Sequence, residues 1–402
     1  MMLPQTWDSR SIESVYDFTK KPRKIVYSEY DLVPFIPMEM VPIDRPYINN
    51  HNIKNGRDIR SGNYFEKGDV LLAKITPSFE NGKQGIAKDI PSSFGVASTE
   101  LIPIRGKKGI SSKYFLFYYL LEKEVRKQIT QKMEGTTGRQ RIPISVLKKW
   151  LMPFPPLKEQ GKIAAVLFKI QQAIEVQESI IEAAQDLKKS TMQHVFTYGL
   201  RGEKTKETEV GRVPESWEVK RFGEFATLHR GYDLPVQNRK EGKVPIVGSN
   251  GICGYHNKSK IKGPGVVTGR SGSIGISYYI DDDYWPLNTG LYVENFHNND
   301  PLYSHYFFQS FNFKKYASGV SVPTLNRNLV HAAVIGVPLI KDQNDIVSVF
   351  KTIDDKIEIH STIKSALQDI FKTMLNKLMT GEVRVQHADI DTSCVLEMEN
   401  RG

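Results

Sequence analysis

Apolar residues at 346, 350, 353, 357, 367, 371, 374 and 378 fall largely at steps of four and three. That spacing is a heptad seam, the pattern of a long helix that pairs with another. The same pattern stands 183 residues earlier, where Ile163, Leu167, Ile170, Ile174, Gln177 and Ile181 answer Ile346, Phe350, Ile353, Ile357, His360 and Lys364. Leu367 continues the second seam. Pro155-Pro156 and Pro338 precede the two runs, where proline is tolerated, and Gly199 and Gly381 follow them as C-terminal caps. Two helices of about 38 residues, roughly 55–60 Å long, are predicted. Equal length and shared register predict that they pair antiparallel. The polar positions Gln177 and His360 are either tolerated at the seam edge or fix its register.

Between these runs the pattern changes to short apolar stretches bounded by Gly, Asp or Pro. Val70-Leu71-Leu72-Ala73 and Gly265-Val266-Val267-Thr268 predict buried strands, and residues 113–121 and 303–309 predict short buried helices. The duplication extends into these blocks. Residues 3–8 match 213–218 at an offset of 210, Ser98–Leu101 match Asn288–Leu291 at 190, and Gly135 precedes the first long helix much as Gly319 precedes the second. The first block is therefore about 27 residues longer, since the offset shrinks from 210 to 183. The expected partition is a block over 1–154, a long helix over 155–198, a linker over 199–212, a second block over 213–337, a second long helix over 338–381, and a flexible polar tail over 382–402. The fold class is α+β: two β-rich blocks separated by two long antiparallel helices in a coiled coil, with a pseudo-twofold internal repeat.

Composition adds a partner class. The net charge is +10 over 402 residues, divided as +9 over 1–155, +1 over 156–212, +3 over 213–337 and −3 over 338–402. Basic blocks favour a polyanion such as nucleic acid, or are merely solvated. No apolar run reaches the ~20 residues of a membrane helix and no signal-peptide core is seen, so a cytoplasmic location without membrane contact is expected. Two cysteines, Cys253 and Cys394, cannot build a disulfide framework or a four-cysteine metal site.

Catalytic constellations are not evident. A phosphate-binding Gly-x-x-x-x-Gly-Lys-Ser/Thr loop is absent, and the glycine-rich stretch Gly269–Gly275 lacks its lysine. Asp281-Asp282-Asp283 has the look of a solvated turn, and Asp69, Glu80 and Lys83 match a nuclease set only loosely. No His-x-x-x-His pair or adenosylmethionine fingerprint occurs.

Side chains suited to reading bases are plentiful, Arg for guanine and Asn or Gln for adenine. The candidates are Lys83 and Gln84; Arg139, Gln140 and Arg141 after the Gly135-Thr136-Thr137 turn; Gln237, Asn238 and Arg239; Arg270 in the glycine loop; and Asn326, Arg327 and Asn328. The Arg139 and Arg327 segments stand at comparable places before the two long helices. Each residue taken singly is also compatible with plain solvation.

The helix entries Pro156-Leu157-Lys158-Glu159-Gln160 and Pro338-Leu339-Ile340-Lys341-Asp342-Gln343 resemble the specificity (S) subunits of type I restriction–modification systems. So do residues 213–220 and the run Leu378-Met379-Thr380-Gly381-Glu382-Val383-Arg384. The resemblance implies a non-catalytic DNA reader with two target recognition domains, each binding half of a split asymmetric site. It implies long helices that set the spacing and dock two methyltransferase (M) subunits, with restriction (R) subunits beyond. Adenosylmethionine, ATP and magnesium would belong to those partners, and this chain would carry no cofactor. The alternatives are a coiled-coil scaffold for proteins, or a stand-alone nuclease or methyltransferase.

Overall fold

The computed structural model describes residues 4–393 and 395, apart from 44, 137, 209–210 and 320–322. Cys394 and Thr137 lie outside the described residues. Two compact units form, one of residues 1–177 with 362–402, the other of residues 178–361. The long helices are Leu157–Tyr198 and Ile340–Met379. Each unit holds one block and a part of both helices.

In the first unit, a four-stranded antiparallel sheet runs in the order Tyr16–Phe18, Leu101–Gly106, Val70–Ala73, Gln84–Ile86. Val70 through Ala73 are fully buried, as a strand covered on both faces must be. A second four-stranded sheet orders Asn52–Lys54, Val33–Ile36, Phe94–Ala97 and Asn63–Glu66. The helix Lys113–Leu121 buries Tyr114 through Leu121 and is capped by Ser112. Its aromatic side chains share one core with Ile163, Leu167 and Phe168 of the first long helix and Leu375, Leu378 and Met379 of the second.

The second unit repeats the first sheet strand for strand, as Thr227–Arg230, Gly290–Asn295, Gly265–Gly269, Ser277–Ile280. The helix Pro301–Ser310, capped by Asp300, takes the place of Lys113–Leu121. Its core joins Tyr303, Phe307 and Phe308 to Met192 and Val195 of the first long helix and Ile346, Phe350 and Ile353 of the second. Lys188 pairs with Asp354 while Phe196 stacks on Phe350, so one helix ascends as the other descends. The pairing is antiparallel.

Ladder register corrects the sequence alignment. Leu72 faces Ile102 and Thr268 faces Leu291, which sets the offset at 196 for the central strand and 189 for its neighbour. The expected match of Leu101 to Leu291 is therefore one residue out, and Leu101 answers Gly290. A slip of one residue would place every side chain on the opposite sheet face.

Of the seam positions, Ile163, Leu167, Ile346, Phe350 and Ile353 are buried within the block cores, and the partly buried Ile357 packs against the second core. Ile170, Ile174, Gln177, Ile181, Ile357, His360 and Leu367 are half-buried. Two other expectations change. The linker is no bare connector: Thr205–Thr208 and Gly211–Pro214 pair as a hairpin, and Lys206 grips the Glu215 and Trp217 carbonyls. The described part of the tail expected to be flexible, 382–393 and 395, is docked, with Val385 and Val395 buried in the first core and Ile390 packed against it. Apolar burial and the Arg384–Glu159 ion pair outweigh the polar composition that suggested disorder.

Candidate nucleic-acid interface

A basic residue directly follows the central strand in both units. Lys74 follows Ala73, and Arg270 follows Gly269. The Lys74 amide donates to the Glu100 carbonyl at 3.0 Å and its own carbonyl accepts from the Ile142 amide at 2.8 Å. Arg270 repeats both bonds, to Thr289 at 3.0 Å and from Leu325 at 2.8 Å. Lys74 was not singled out in the sequence, because only ladder register aligns it with Arg270.

Beside each strand end lies a hairpin turn that leads to the next long helix. In the first unit, Glu134 bridges Arg141, which also bridges Ile75, and Gly135 and Gly138 take positive φ. In the second, Ala317-Ser318 pairs with Thr324-Leu325, Thr324 bridges Ser271, and Gly319 takes positive φ. Positive φ is open to glycine without a Cβ penalty, which accounts for both turns.

The predicted readers fall into different classes. Arg139 is exposed on its turn, and Gln140 is half-buried with its carbonyl accepting from the Thr76 amide. Arg141 is exposed but its guanidinium is held by both Glu100 oxygens at 2.9–3.1 Å. Those hydrogen bonds hold the Glu100 carboxyl below its ordinary range. Gln237 and Asn238 sit exposed on a short turn of helix, whereas Arg239 bonds the Leu234 and Cys253 carbonyls. Asn326 caps the helix Arg327–Ala332 through the Asn328 amide, and all three of Asn326, Arg327 and Asn328 are exposed. Arg270 is half-buried, with Ser273 donating to Asn250 at 2.5 Å in the loops around it.

Two readings need correction. Gln84 is fully buried, donating to the Phe117 carbonyl at 2.6 Å and accepting from Arg126 at 2.8 Å, so it braces the helix against the sheet, with its amide already engaged. Arg139 and Arg327 are not equivalents. The strands Leu151–Phe154 and Val334–Val337 match at an offset of 183, which sets Arg327 against Ile144 and Arg139 against residue 322, outside the described residues. Lys83 is half-buried and donates to the Met38 carbonyl at 2.9 Å. The loose nuclease set is likewise dispersed: Asp69 is buried against Arg105, and Glu80 accepts from Thr76. Burial pushes the Asp69 carboxyl up despite Arg105.

A family model for the type I restriction modification DNA specificity domain matches residues 4–185 and again 214–369. The chain belongs to this family. The double match coincides with the internal repeat. A relative from Methanocaldococcus jannaschii, the type I restriction enzyme MjaVIII specificity subunit, is 26% identical across 96% of this chain and 95% of its own length. A second from that organism, the putative type I restriction enzyme MjaX specificity subunit, is 27% identical over 79% of both chains. The crystal structure of a type I restriction–modification system S subunit from M. genitalium covers 94% of this chain and 98% of its own, with a TM-score of 0.62 at 18% identity, a likeness of fold. This specificity-subunit chain thus matches the MjaVIII relative in sequence and the M. genitalium subunit in fold over nearly its whole length.

Proposed function

We propose that this specificity subunit is a non-catalytic DNA reader whose two blocks each bind one half of a split, asymmetric double-stranded site. The observation that carries the reading is matched backbone with unmatched side chains. At equivalent positions around the strand ends the first block has Lys74, Glu100 and Arg141 where the second has Arg270, Thr289 and Thr324. The same scaffold offering different donors and acceptors is what recognising two different half-sites requires.

The long helices would set the spacing between half-sites and dock two methyltransferase (M) subunits, with restriction (R) subunits completing the complex. Exposed apolar residues support a partner that binds twice. Val176 and Ile359 are 53% and 57% exposed, Leu187 and Ile370 are 55% and 49% exposed, and both pairs obey the 183-residue repeat. Adenosylmethionine, ATP and magnesium would act in those partners. Among the described residues no helix is long and apolar enough to cross a membrane.

Selection from a random duplex library by the full chain tests the reading. Two short conserved stretches separated by a fixed unconserved gap are expected, with binding that weakens steeply as salt rises. One contiguous consensus, or none, overturns it. A scaffold for proteins alone would select no sequence.

A further inference from the structure

We infer that Lys74 and Arg270 are the structurally equivalent cationic contacts by which each block grips its DNA half-site. The inference rests on the DNA-recognition reading and adds the residues that carry it.

Each cation stands one residue beyond a buried central strand, and its backbone is clamped on both sides by bonds of the same lengths in the two units. A long basic side chain on a backbone so held is preorganised, which spares the ordering cost of a contact made from a mobile loop. Both side chains are half-buried, and neither cation makes a hydrogen bond or a close ion pair among the described residues, although Lys74 lies near enough to the Glu100 carboxylate to help hold it below its ordinary range. The contrast with their neighbours is informative. Arg141 is taken up by Glu100, Arg239 by carbonyls, and Lys83 by the Met38 carbonyl. Arg270 has no such partner among the described residues, and Lys74 meets Glu100 only at longer range, so both can turn to a ligand.

Hydrogen-bonding groups surround both. Ser271, Ser273 and Asn250 lie in the loops beside Arg270, where a Cβ on Gly269 would come within 2.0 Å of the Ser273 carbonyl oxygen. Only glycine lets that loop fold so close to the strand end. Gln140 and Arg141 lie on the segment beside Lys74. The residue types differ in a way that suits two half-sites. Arg offers a planar fork that can engage guanine through two bonds, and Lys a compact charge.

The test uses the full chain and the duplex it selects from a random library. Lys74→Met and Arg270→Met keep an apolar stem and remove the charge, and Lys372→Gln, on an exposed part of the second long helix, controls for net charge. Thermal melts matching wild type establish folding. Each Met variant is expected to bind about 10-fold more weakly, with a log–log salt slope shallower by about one, and the control to bind as wild type. A wild-type chain that selects a duplex, with Met variants of unchanged affinity and slope, overturns this inference alone. A wild-type chain that selects no duplex overturns the DNA-recognition reading as well.

Discussion

The side-chain oxygen of Gln160 accepts a hydrogen bond from the Ser112 amide at 2.9 Å, and Gln343 accepts from the Asp300 amide at the same distance. Both glutamines are buried, and each also donates to the carbonyl just before its own long helix, Pro155 at 2.8 Å and Pro338 at 3.0 Å. Ser112 and Asp300 are the N-caps of the two short aromatic helices. The repeated glutamine therefore fastens the start of a long helix to the start of a block helix, once in each unit. Replacing either by Ala strands a buried donor and acceptor and is expected to cost about 2–3 kcal/mol. Urea unfolding measures the cost. Hydrogen exchange should locate it at residues 113–121 for Gln160→Ala and 301–310 for Gln343→Ala.

Tyr118 donates to Gln171 at 2.9 Å, and Tyr306 donates to Asp354 at 2.8 Å. These are equivalent pairs, but the third members differ. Phe371 lies 6.1 Å from the Tyr118 ring, whereas at the matching position Lys188 pairs with Asp354 at 2.7 Å. The first unit uses a neutral contact and the second a charged one. Lys188→Phe and Asp354→Gln each leave an unmatched charge and are expected to destabilise the chain. The double variant, which imports the neutral set, is expected to recover stability through a coupling on the order of 1–2 kcal/mol. A double-mutant cycle on thermal unfolding measures it; additive losses would count against equivalence.

Glu159 is 2% exposed and accepts from Trp7 and Arg384 at 2.8–3.0 Å. Burial alone would raise its carboxyl, but the bonds from Arg384 and Trp7 prevail and hold it below the ordinary range. A carboxyl depressed on folding stabilises above its unfolded value and loses that contribution as pH falls through its folded value. Glu159→Gln is accordingly expected to cost about 2 kcal/mol near pH 7, and the gap to wild type should narrow below about pH 4. Melting curves between pH 7 and pH 3 follow the gap.

Truncation after Gly381 removes Val385, Ile390 and Val395 from the first core and Arg384 from its ion pair with Glu159. The loss is expected to be about 4 kcal/mol, lowering the first unit's melting temperature by roughly 10 °C. Calorimetry should show the second unit's transition unmoved.

Local patterns are legible in the sequence. Heptad spacing, strand-length apolar runs and capping glycines act through neighbours a few residues apart, so the long helices, the strands at 70 and 265 and the C-caps at Gly199 and Gly381 were legible, and both glycines indeed take positive φ. Contacts between remote partners are not legible. Gln84 reads as a candidate base contact because nothing nearby in the chain reveals the Phe117 carbonyl and Arg126 that enclose it. The tail looked flexible because its few apolar residues gain a core only when the chain's first helix entry is folded beside them.

The sequence by itself determined the block–helix–block–helix order and the family, since repeats and motifs are properties of covalent spacing. Tertiary structure decided which residues are equivalents between the blocks. Insertions between strands shift the offset from 210 through 196 and 189 to 183, and only hydrogen-bonded ladders say where each shift falls. Lys74 and Arg270 share a position because their backbones make the same bonds, a relation no local pattern encodes.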